Sequence, residues 1–287
     1  MRKCYLFVFL FVFLPSVALA APTGFTFPHF AVGGGTEYQD IRIQDGWETS
    51  ITIKSVRGPG SPTVPGKITW YSSDGSPGLG PGISPKLNIK PPLEDRLVND
   101  NEYSFDLPPG SVREVVLSLP SPDITVGYVS VELISDRPGG VDAVMFLQYR
   151  YKVNGQVLGQ ATVTPVIDYN LTQRWSFFVR YFTGPNKDRT ESGIALANIR
   201  DHPRTCTFTR KDSEGRVLDS FNEVIPRFGS LARFFSQLGP SLGVTDFEGS
   251  VDISCDSYSG MAAIALQTTG DGRSFNFSTI PNANVGQ

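Results

Sequence analysis

The sequence predicts an all-β protein made of two β-sandwich domains in tandem, with one short helix in the second domain. Two observations lead to this prediction. Short segments with the residue preferences of strands are separated by turns, for which the chain has 22 Pro and 29 Gly. In addition, the strand–turn–strand pattern of Gly249–Gln267 has a weaker copy at Gly127–Gln148.

The C-terminal pattern combines two kinds of strand. Apolar residues at Val251, Ile253 and Cys255 alternate with polar ones, as in a strand with one buried face. Turn residues follow at Ser257–Gly260. Met261–Leu266 is then an almost continuous run of small apolar residues, which predicts a strand covered on both faces.

The first twenty residues have the pattern of a secretion signal. Arg2 and Lys3 precede the apolar core Tyr5–Leu14, and Ala18–Ala20 places small residues at the two positions that a signal peptidase reads. A retained membrane anchor is the alternative, but this apolar core is too short to span a bilayer. We therefore expect cleavage after Ala20 and an exported protein, either extracellular or periplasmic.

The mature chain is mildly acidic. Removal of Arg2 and Lys3 from the 25 basic residues leaves 23 against 28 acidic ones, a net charge of −5. This charge disfavours nucleic acid and anionic membranes as partners. No later segment is apolar over a sufficient length to span a membrane, so we expect no membrane span in the mature chain.

Cys206 and Cys255 are the two cysteines that remain after processing. In an exported chain the simplest interpretation is a disulfide, which would stabilise the fold by up to about 4 kcal/mol. A metal site lacks further ligands, since His29 and His202 are the two histidines of the chain, and the spacing differs from a CxxC redox pair. We expect no metal and no cofactor.

The duplicated pattern divides the chain into two copies. The expected boundaries are a signal peptide at 1–20, a first β-sandwich domain at 21–152 with an irregular surface insertion at 76–104, a connector at 153–174, a second β-sandwich domain at 175–281 and a tail at 282–287. The strands predicted up to the connector are Phe25 to Val32, Trp47–Ser55, Lys67–Ser72, Val112–Leu119, a pair within Tyr128–Tyr151, and Val157–Val166.

The second copy opens at Trp175–Phe182. Its segments align as Gly193–Asn198 with Ser50–Ser55, Thr205–Asp212 with Lys67–Asp74, and Gly249–Leu266 with Gly127–Phe146. In this alignment Cys206 falls opposite Ile68 and Cys255 opposite Leu133. Because both positions are aliphatic in the first copy, we expect both cysteines to point inward and to form a disulfide within the second copy.

The predicted helix is Gly229–Leu238. Ser230 can cap it, and the apolar residues that follow recur at helical spacing before Gly239 and Pro240 end it. A membrane-active amphipathic helix is one interpretation. The other is a two-turn helix that packs over the open end of a sandwich, which such a short segment favours.

Several of these patterns together resemble a known family. They are the GIALAN-like strand (Gly193–Asn198), the DG hairpin, the PPGS turn, the short Phe/Leu helix before a Gly, and the GMAAIAL strand. They resemble an uncharacterised family of tandem β-sandwich modules in exported bacterial proteins, over residues 26–281. The resemblance implies an immunoglobulin-like fold and an extracellular setting, and it supplies no catalytic or binding residues.

Aromatic residues give the candidate binding site. Sugar-binding sandwiches present flat rings that stack on the C–H faces of sugars. Trp70 and Tyr71 are successive strand residues on opposite faces, so one of them must point outward, and Tyr149 and Tyr151 share one face. The alternative is that Trp70 belongs to the core and that the tyrosines cover a strand edge or a domain interface.

Catalytic and calcium sites have weaker support. A Ser/His/Asp site could use His202, but its neighbour Asp201 would point away from it on an extended chain. Asp212, Glu214 and the carbonyl of Gly215 could share a calcium ion, although the segment also fits an ordinary hairpin turn.

The sequence therefore favours a non-catalytic secreted or cell-surface protein with a structural or interaction role, such as adhesion, whose partner is an unknown protein or glycan surface. A carbohydrate-binding protein that uses exposed Trp and Tyr is the alternative. A secreted hydrolase is the third class.

Overall fold

The computed structural model of the chain describes residues 22–35, 46–79, 86–90, 96–99, 101–119, 121–135, 142–167, 173–183, 189–240, 242–244, 246–256, 260–270, 275–280 and 282–283. The predicted signal peptide and the end of the predicted tail lie outside these residues. Within them, no helix is both long and apolar enough to cross a membrane.

The described chain is nearly all β and forms two antiparallel sheets. The first sheet contains β1 (Pro22–Gly33), β2 (Gly46–Ser55), β3 (Val64–Ser72), β4 (Lys86–Lys90), β5 (Arg96–Asn99), β6 (Glu102–Leu107), β7 (Val112–Ser118), β8 (Ile124–Ile134), β9 (Ala143–Val153), β10 (Gln156–Val163) and β11 (Val166–Ile167). The second contains β12 (Arg174–Phe182), β13 (Arg189–Asn198), β14 (Arg204–Asp212), β15 (Val217–Ile225), β16 (Ser230–Phe234), β17 (Asp246–Cys255), β18 (Met261–Gly270), β19 (Phe275–Ile280) and β20 (Asn282–Ala283).

The two sheets share one strand order. The first runs β10-β9-β2-β1-β8-β3-β6, with β7 beside β2 and β11 beside β1. The second runs β19-β18-β13-β12-β17-β14-β15, with β16 beside β13 and β20 beside β12. Among the described strands of the second sheet, none corresponds to β4 or β5. They lie within residues 76–104, so this predicted insertion contains strands and is not irregular throughout.

Two strands fall in the segment that was predicted as a connector, 153–174. β10 pairs with β9, and β11 pairs with β1, so both belong to the first sheet. The predicted strand Val157–Val166 is thus observed as β10, and it extends the first sheet.

Each sheet curls so that the two halves of the sheet face each other across a common core. In the first sheet the described backbone pairing of β1 with β2 is the single pair Gly33 and Trp47. Gly33 has a φ of +87°, and a Cβ there would lie 2.2 Å from the carbonyl oxygen of Asp123, so the curl requires glycine. Beyond it, the side chain of Thr49 accepts a hydrogen bond from the Ala31 amide and donates one to the Ala31 carbonyl, replacing the missing backbone pairing.

The alternating pattern of the C-terminal strands is confirmed. On β17, Val251, Ile253 and Cys255 are buried in the core of the second sheet. The small-residue strand β18 is buried at both inward and outward positions near its start, as a strand covered on both faces should be.

The second cover of β18 is the first sheet. Ala195 of β13 and Ile264 of β18 pack with the core residues of the first sheet, where β13 and β18 contact β1, and β16 contacts β8. The contact continues at the hairpin after β3, where the Ser230 amide donates a 3.0 Å hydrogen bond to the Ser73 carbonyl. The two sheets therefore stack face to face.

The predicted helix Gly229–Leu238 is not helical in its first half. Ser230–Phe234 forms β16, which pairs with β13, and only Phe235–Gln237 forms a 3₁₀ turn. The apolar residues with helical spacing are divided between the two elements. Pairing with β13 satisfies the backbone groups of the segment by sheet hydrogen bonds, and this tertiary pairing outweighs local helix preference.

Cys206 and Cys255 lie opposite each other on β14 and β17, with their sulfur atoms at disulfide distance and their Cα atoms 4.0 Å apart. The predicted disulfide and its inward position in the second sheet are therefore observed. Both cysteines are buried in the core.

The predicted alignment of the cysteines needs a correction of two residues. Ser72 and Asp212 make the same turn hydrogen bonds, each accepting from the glycine three residues on and donating to the residue four residues on. Counting back from these turns, Cys206 corresponds to Gly66 and not to Ile68. Gly66 lies opposite Leu133, and the ring of Phe105 occupies the space where a Cβ on Gly66 would stand.

Candidate functional site

A cleft of about 210 Å³ lies between the two sheets. His29, Trp47 and Tyr149 line it from the first sheet, and Ala195, Arg233 and Ile264 line it from the second. Apolar side chains dominate the lining. Concave, mostly apolar clefts at the contact between two packed units are the usual location of small-molecule sites.

A bulge in β1 places His29 at this cleft. Phe27 pairs with Val129 on β8, but the next pair is Phe30 with Gly127, so Pro28 and His29 together face a single residue of β8. Pro28 cannot donate a ladder hydrogen bond and is tolerated at such a bulge. The extra residue turns His29 outward from a strand whose phenylalanines fill the core.

Tyr149, which lies on β9, holds His29 in place. The Tyr149 hydroxyl donates a 2.9 Å hydrogen bond to the His29 carbonyl, and the two rings lie 5.3 Å apart. The Nδ1 atom of His29 is buried, and no polar atom of the described residues lies within hydrogen-bonding distance of it. Burial lowers the pKa of His29 to about 4, and it raises the pKa of the Tyr149 hydroxyl. The first-sheet side of the cleft is therefore uncharged at neutral pH.

Small residues form the opposite wall. Ala195 on the central strand β13 lies between Ala232 on β16 and Ile264 on β18. Gly193, two residues earlier, also lines the cleft. These short side chains let the second sheet approach the first while leaving space between them. Among the described residues that line the cleft, Arg233 carries the only charge at neutral pH.

The four predicted sugar-binding aromatics lie in different environments. Trp70 is 1% exposed and belongs to the core of the first sheet. Tyr149 is 2% exposed and lines the cleft beside His29. Burial leaves neither ring face available to a sugar at the surface.

Tyr71 and Tyr151 are both half-buried. Tyr71 stacks on Tyr128 at 4.8 Å and faces Phe228, in the loop between β15 and β16, at 6.1 Å, so it forms part of the contact between the two halves of the chain. Tyr151 packs against Trp47, with ring centroids 5.2 Å apart. The structure thus brings Tyr149 and Tyr151 near the cleft, and it separates them from Trp70 and Tyr71.

The Asp201–His202 pair differs from the expectation that these neighbours point apart. The chain bends at these residues, and His202 Nδ1 lies 2.8 Å from Asp201 Oδ1. The contact with His202 lowers the pKa of Asp201. The His202 side chain is 54% exposed and the Asp201 side chain 81%, so the pair lies in solvent and not in a cleft.

In the acidic turn considered for calcium, the carboxylates bind other groups of the same turn. The Asp212 carboxylate accepts hydrogen bonds from the Glu214 and Arg216 amides and pairs with the Arg216 side chain at 2.7 Å. These contacts, led by the Arg216 side chain, lower the pKa of Asp212. Glu214 also contacts Arg216, at 3.2 Å. The turn is thus held by an arginine in the position that a cation would take.

The cleft residues His29, Trp47 and Arg233 were not predicted as site residues. The sequence gives little indication of these residues. Only His29 departs from the pattern of its strand, because it is a polar residue that follows Pro28 in a strand rich in phenylalanine. The opposing wall comes from the second copy, and one-dimensional periodicity does not show which distant strands will meet.

No protein-family model and no curated protein matches the chain. Among solved structures, the crystal structure titled Thermotoga maritima 1070 is similar to part of it, with 15% sequence identity and a TM-score of 0.29. The similarity covers 39% of this chain and 95% of that one.

Proposed function

We propose that the protein is an exported, non-catalytic interaction protein that binds a protein partner at the free edge of its second sheet. The observation that supports this proposal is that β15 is an edge strand with exposed apolar side chains. Among the described residues it pairs with β14 alone, and Val217, Leu218 and Val224 are exposed on it. An edge strand of this length with exposed apolar side chains is a template for an extended segment of another protein.

The scaffold behind this edge supports a presenting role. The shared strand order of the two sheets supports two tandem copies of one immunoglobulin-like sandwich, and their face-to-face contact supports a rigid unit. The cysteine pair at disulfide distance fits an oxidising compartment, which supports export.

The test is capture of a partner from the envelope of the secreting cell by the full chain. Leu218→Lys combined with Val224→Lys should abolish capture, since lysine on an edge opposes strand addition. Val144→Lys is the matched control, because Val144 is equally exposed on a strand of the first sheet that is paired on both sides. Capture that survives the double substitution, or that Val144→Lys also removes, contradicts binding at β15.

The carbohydrate-binding alternative is supported by the partly exposed Trp47–Tyr151 pair. Its test is a glycan array with Tyr151→Ala, with Tyr71→Ala as the control for an aromatic residue between the sheets. Glycan binding that Tyr151→Ala abolishes would favour this alternative over the protein-binding proposal. Turnover of an ester, peptide or glycoside that is lost in His202→Ala would instead favour the hydrolase.

A further inference from the structure

We propose that the protein which binds at the free edge of the second sheet is a second copy of this chain. The β15 strands of the two copies would pair antiparallel, across a two-fold axis at Phe221. This inference rests on the proposed function, because it names the partner that the edge strand takes.

The first sheet shows how a strand adds at this edge. β6 has the place in the first sheet that β15 has in the second, at the end of the shared strand order. β5 lies beside β6 and pairs with it antiparallel, with Leu97 opposite Tyr103. Among the described strands of the second sheet, none takes the corresponding place beside β15. An edge of this kind binds an extended segment through main-chain hydrogen bonds.

The exposed face of β15 is symmetric about Phe221. Leu218, Ser220, Asn222 and Val224 alternate along this face, and all four are exposed. In an antiparallel pair, residues directly opposite each other lie on the same face of the sheet. A two-fold axis at Phe221 therefore places Leu218 of each chain opposite Val224 of the other. It also places Ser220 opposite Asn222, so the surface is complementary to itself, as an interface between two identical surfaces requires.

The apolar ends of this face favour association. Leu218 is 46% exposed and Val224 is 63% exposed. The pair would remove both side chains of both chains from water, which is favourable for apolar surface. Lysine and other charges, which protect many edge strands from strand addition, are absent from the four residues of this face.

The opposite face of β15 limits the strength of the pair. There the same two-fold axis places Asp219 of one chain opposite Glu223 of the other, and like charges opposite each other disfavour pairing. Arg210 reduces this repulsion, because its buried side chain donates two hydrogen bonds to the Asp219 carboxylate, one of them from Nε at 2.7 Å. We therefore expect a weak, reversible dimer with a Kd of roughly 10–100 µM.

Sedimentation equilibrium of the full chain over a range of concentrations tests the dimer. Leu218→Lys alone and Val224→Glu alone should each weaken self-association about 10-fold or more, since each substitution places a charge against an apolar residue at two sites of the dimer. Val144→Lys is the control, because Val144 is exposed on a strand that is paired on both sides. This variant should dimerise like the wild type.

A mixture of the two single variants tests the register. In the mixed dimer, position 218 of the Leu218→Lys chain lies opposite position 224 of the Val224→Glu chain, so opposite charges meet there. The second site of the same dimer keeps the contact of Leu218 with Val224. We expect the mixture to associate within about 3-fold of the wild type, although each variant alone associates weakly.

Three results would overturn the inference. They are a chain that stays monomeric up to about 500 µM, a dimer that Leu218→Lys leaves intact, and a mixture that associates no better than the separate variants. The proposed function survives these results if Leu218→Lys combined with Val224→Lys still abolishes capture of a different protein. The proposed function fails if that double variant weakens neither capture nor self-association.

Discussion

Ala195 lies directly opposite Ile264 on adjacent strands, and both side chains pack against the first sheet instead of the core of their own. The corresponding pair in the first sheet is Thr52 on β2, which lies directly opposite Phe146 on β9. Phe146 is 39% exposed. The outer face of the second sheet is thus covered by the first sheet at Ala195 and Ile264, whereas the corresponding face of the first sheet is exposed at Phe146.

The covered face should be far more sensitive to charge. Ile264→Asp would bury a carboxylate without a partner between the sheets, and we expect it to lower the free energy of unfolding by about 3 kcal/mol or more. Phe146→Asp places the same group on the open face and should change it by no more than about 1 kcal/mol. Urea unfolding of the two variants measures this difference. Equal losses would contradict the face-to-face stack.

The sequence predicted the covered strand but not its cover. The run of small apolar residues at Met261–Leu266 requires burial on both faces, and local pattern alone shows this. Which surface provides the second cover depends on strands of the other sheet, which periodicity does not contain. The same limit applies to the cleft, whose two walls come from distant segments.

The two local errors have simple physical causes. In Gly229–Leu238 the apolar spacing fits a helix, yet Ser230–Phe234 gains more from pairing with β13. The alignment of Cys206 with Ile68 was displaced by two residues, which is one full period of a strand. Such a shift keeps every side chain on the same face, so the inward orientation was predicted correctly even though the partner was not.

The corrected alignment gives a second prediction, at Gly66. A Cβ on Gly66 would lie 2.4 Å from the ring of Phe105 and 2.9 Å from Leu133, both of which are buried. Gly66→Ala should therefore destabilise the fold by about 1–3 kcal/mol, the usual cost of overpacking a core.

The control for Gly66→Ala is a double variant. Phe105→Leu removes the ring atoms that clash, so adding Gly66→Ala to Phe105→Leu should cost clearly less than adding it to the wild type. Thermal or urea unfolding of the four proteins measures the coupling. Strict additivity would contradict the contact.

The third prediction concerns the cysteine pair. Cys206 and Cys255 are 49 residues apart in sequence, and closing a loop of this length should stabilise the fold by up to about 4 kcal/mol. We expect the oxidised protein to unfold at higher urea than the Cys206→Ala/Cys255→Ala variant. Reductant should lower the midpoint of the wild type and leave that of the double variant unchanged. A wild type insensitive to reductant would contradict the bond.

The last prediction is a loss of stability in mild acid that comes from His29. Its pKa is about 4 in the folded protein against 6.5 for an ordinary histidine, and the other ionisable groups that line the cleft are Tyr149 and Arg233. Between these two pH values the unfolded chain binds a proton that the folded chain does not, so stability is complete above about pH 7 and falls as the pH drops toward 4.

The loss at His29 should reach about 3 kcal/mol near pH 4, because each unit of pKa difference corresponds to about 1.4 kcal/mol. Carboxylates also titrate toward the acid end, so the measurement is the difference from a variant without the imidazole. His29→Gln should be less sensitive to pH between 7 and 4.5 than the wild type in urea unfolding. His202→Gln, at the exposed histidine, should follow the wild type. Parallel pH profiles for the wild type and His29→Gln would show that His29 is not buried in a neutral form between the sheets.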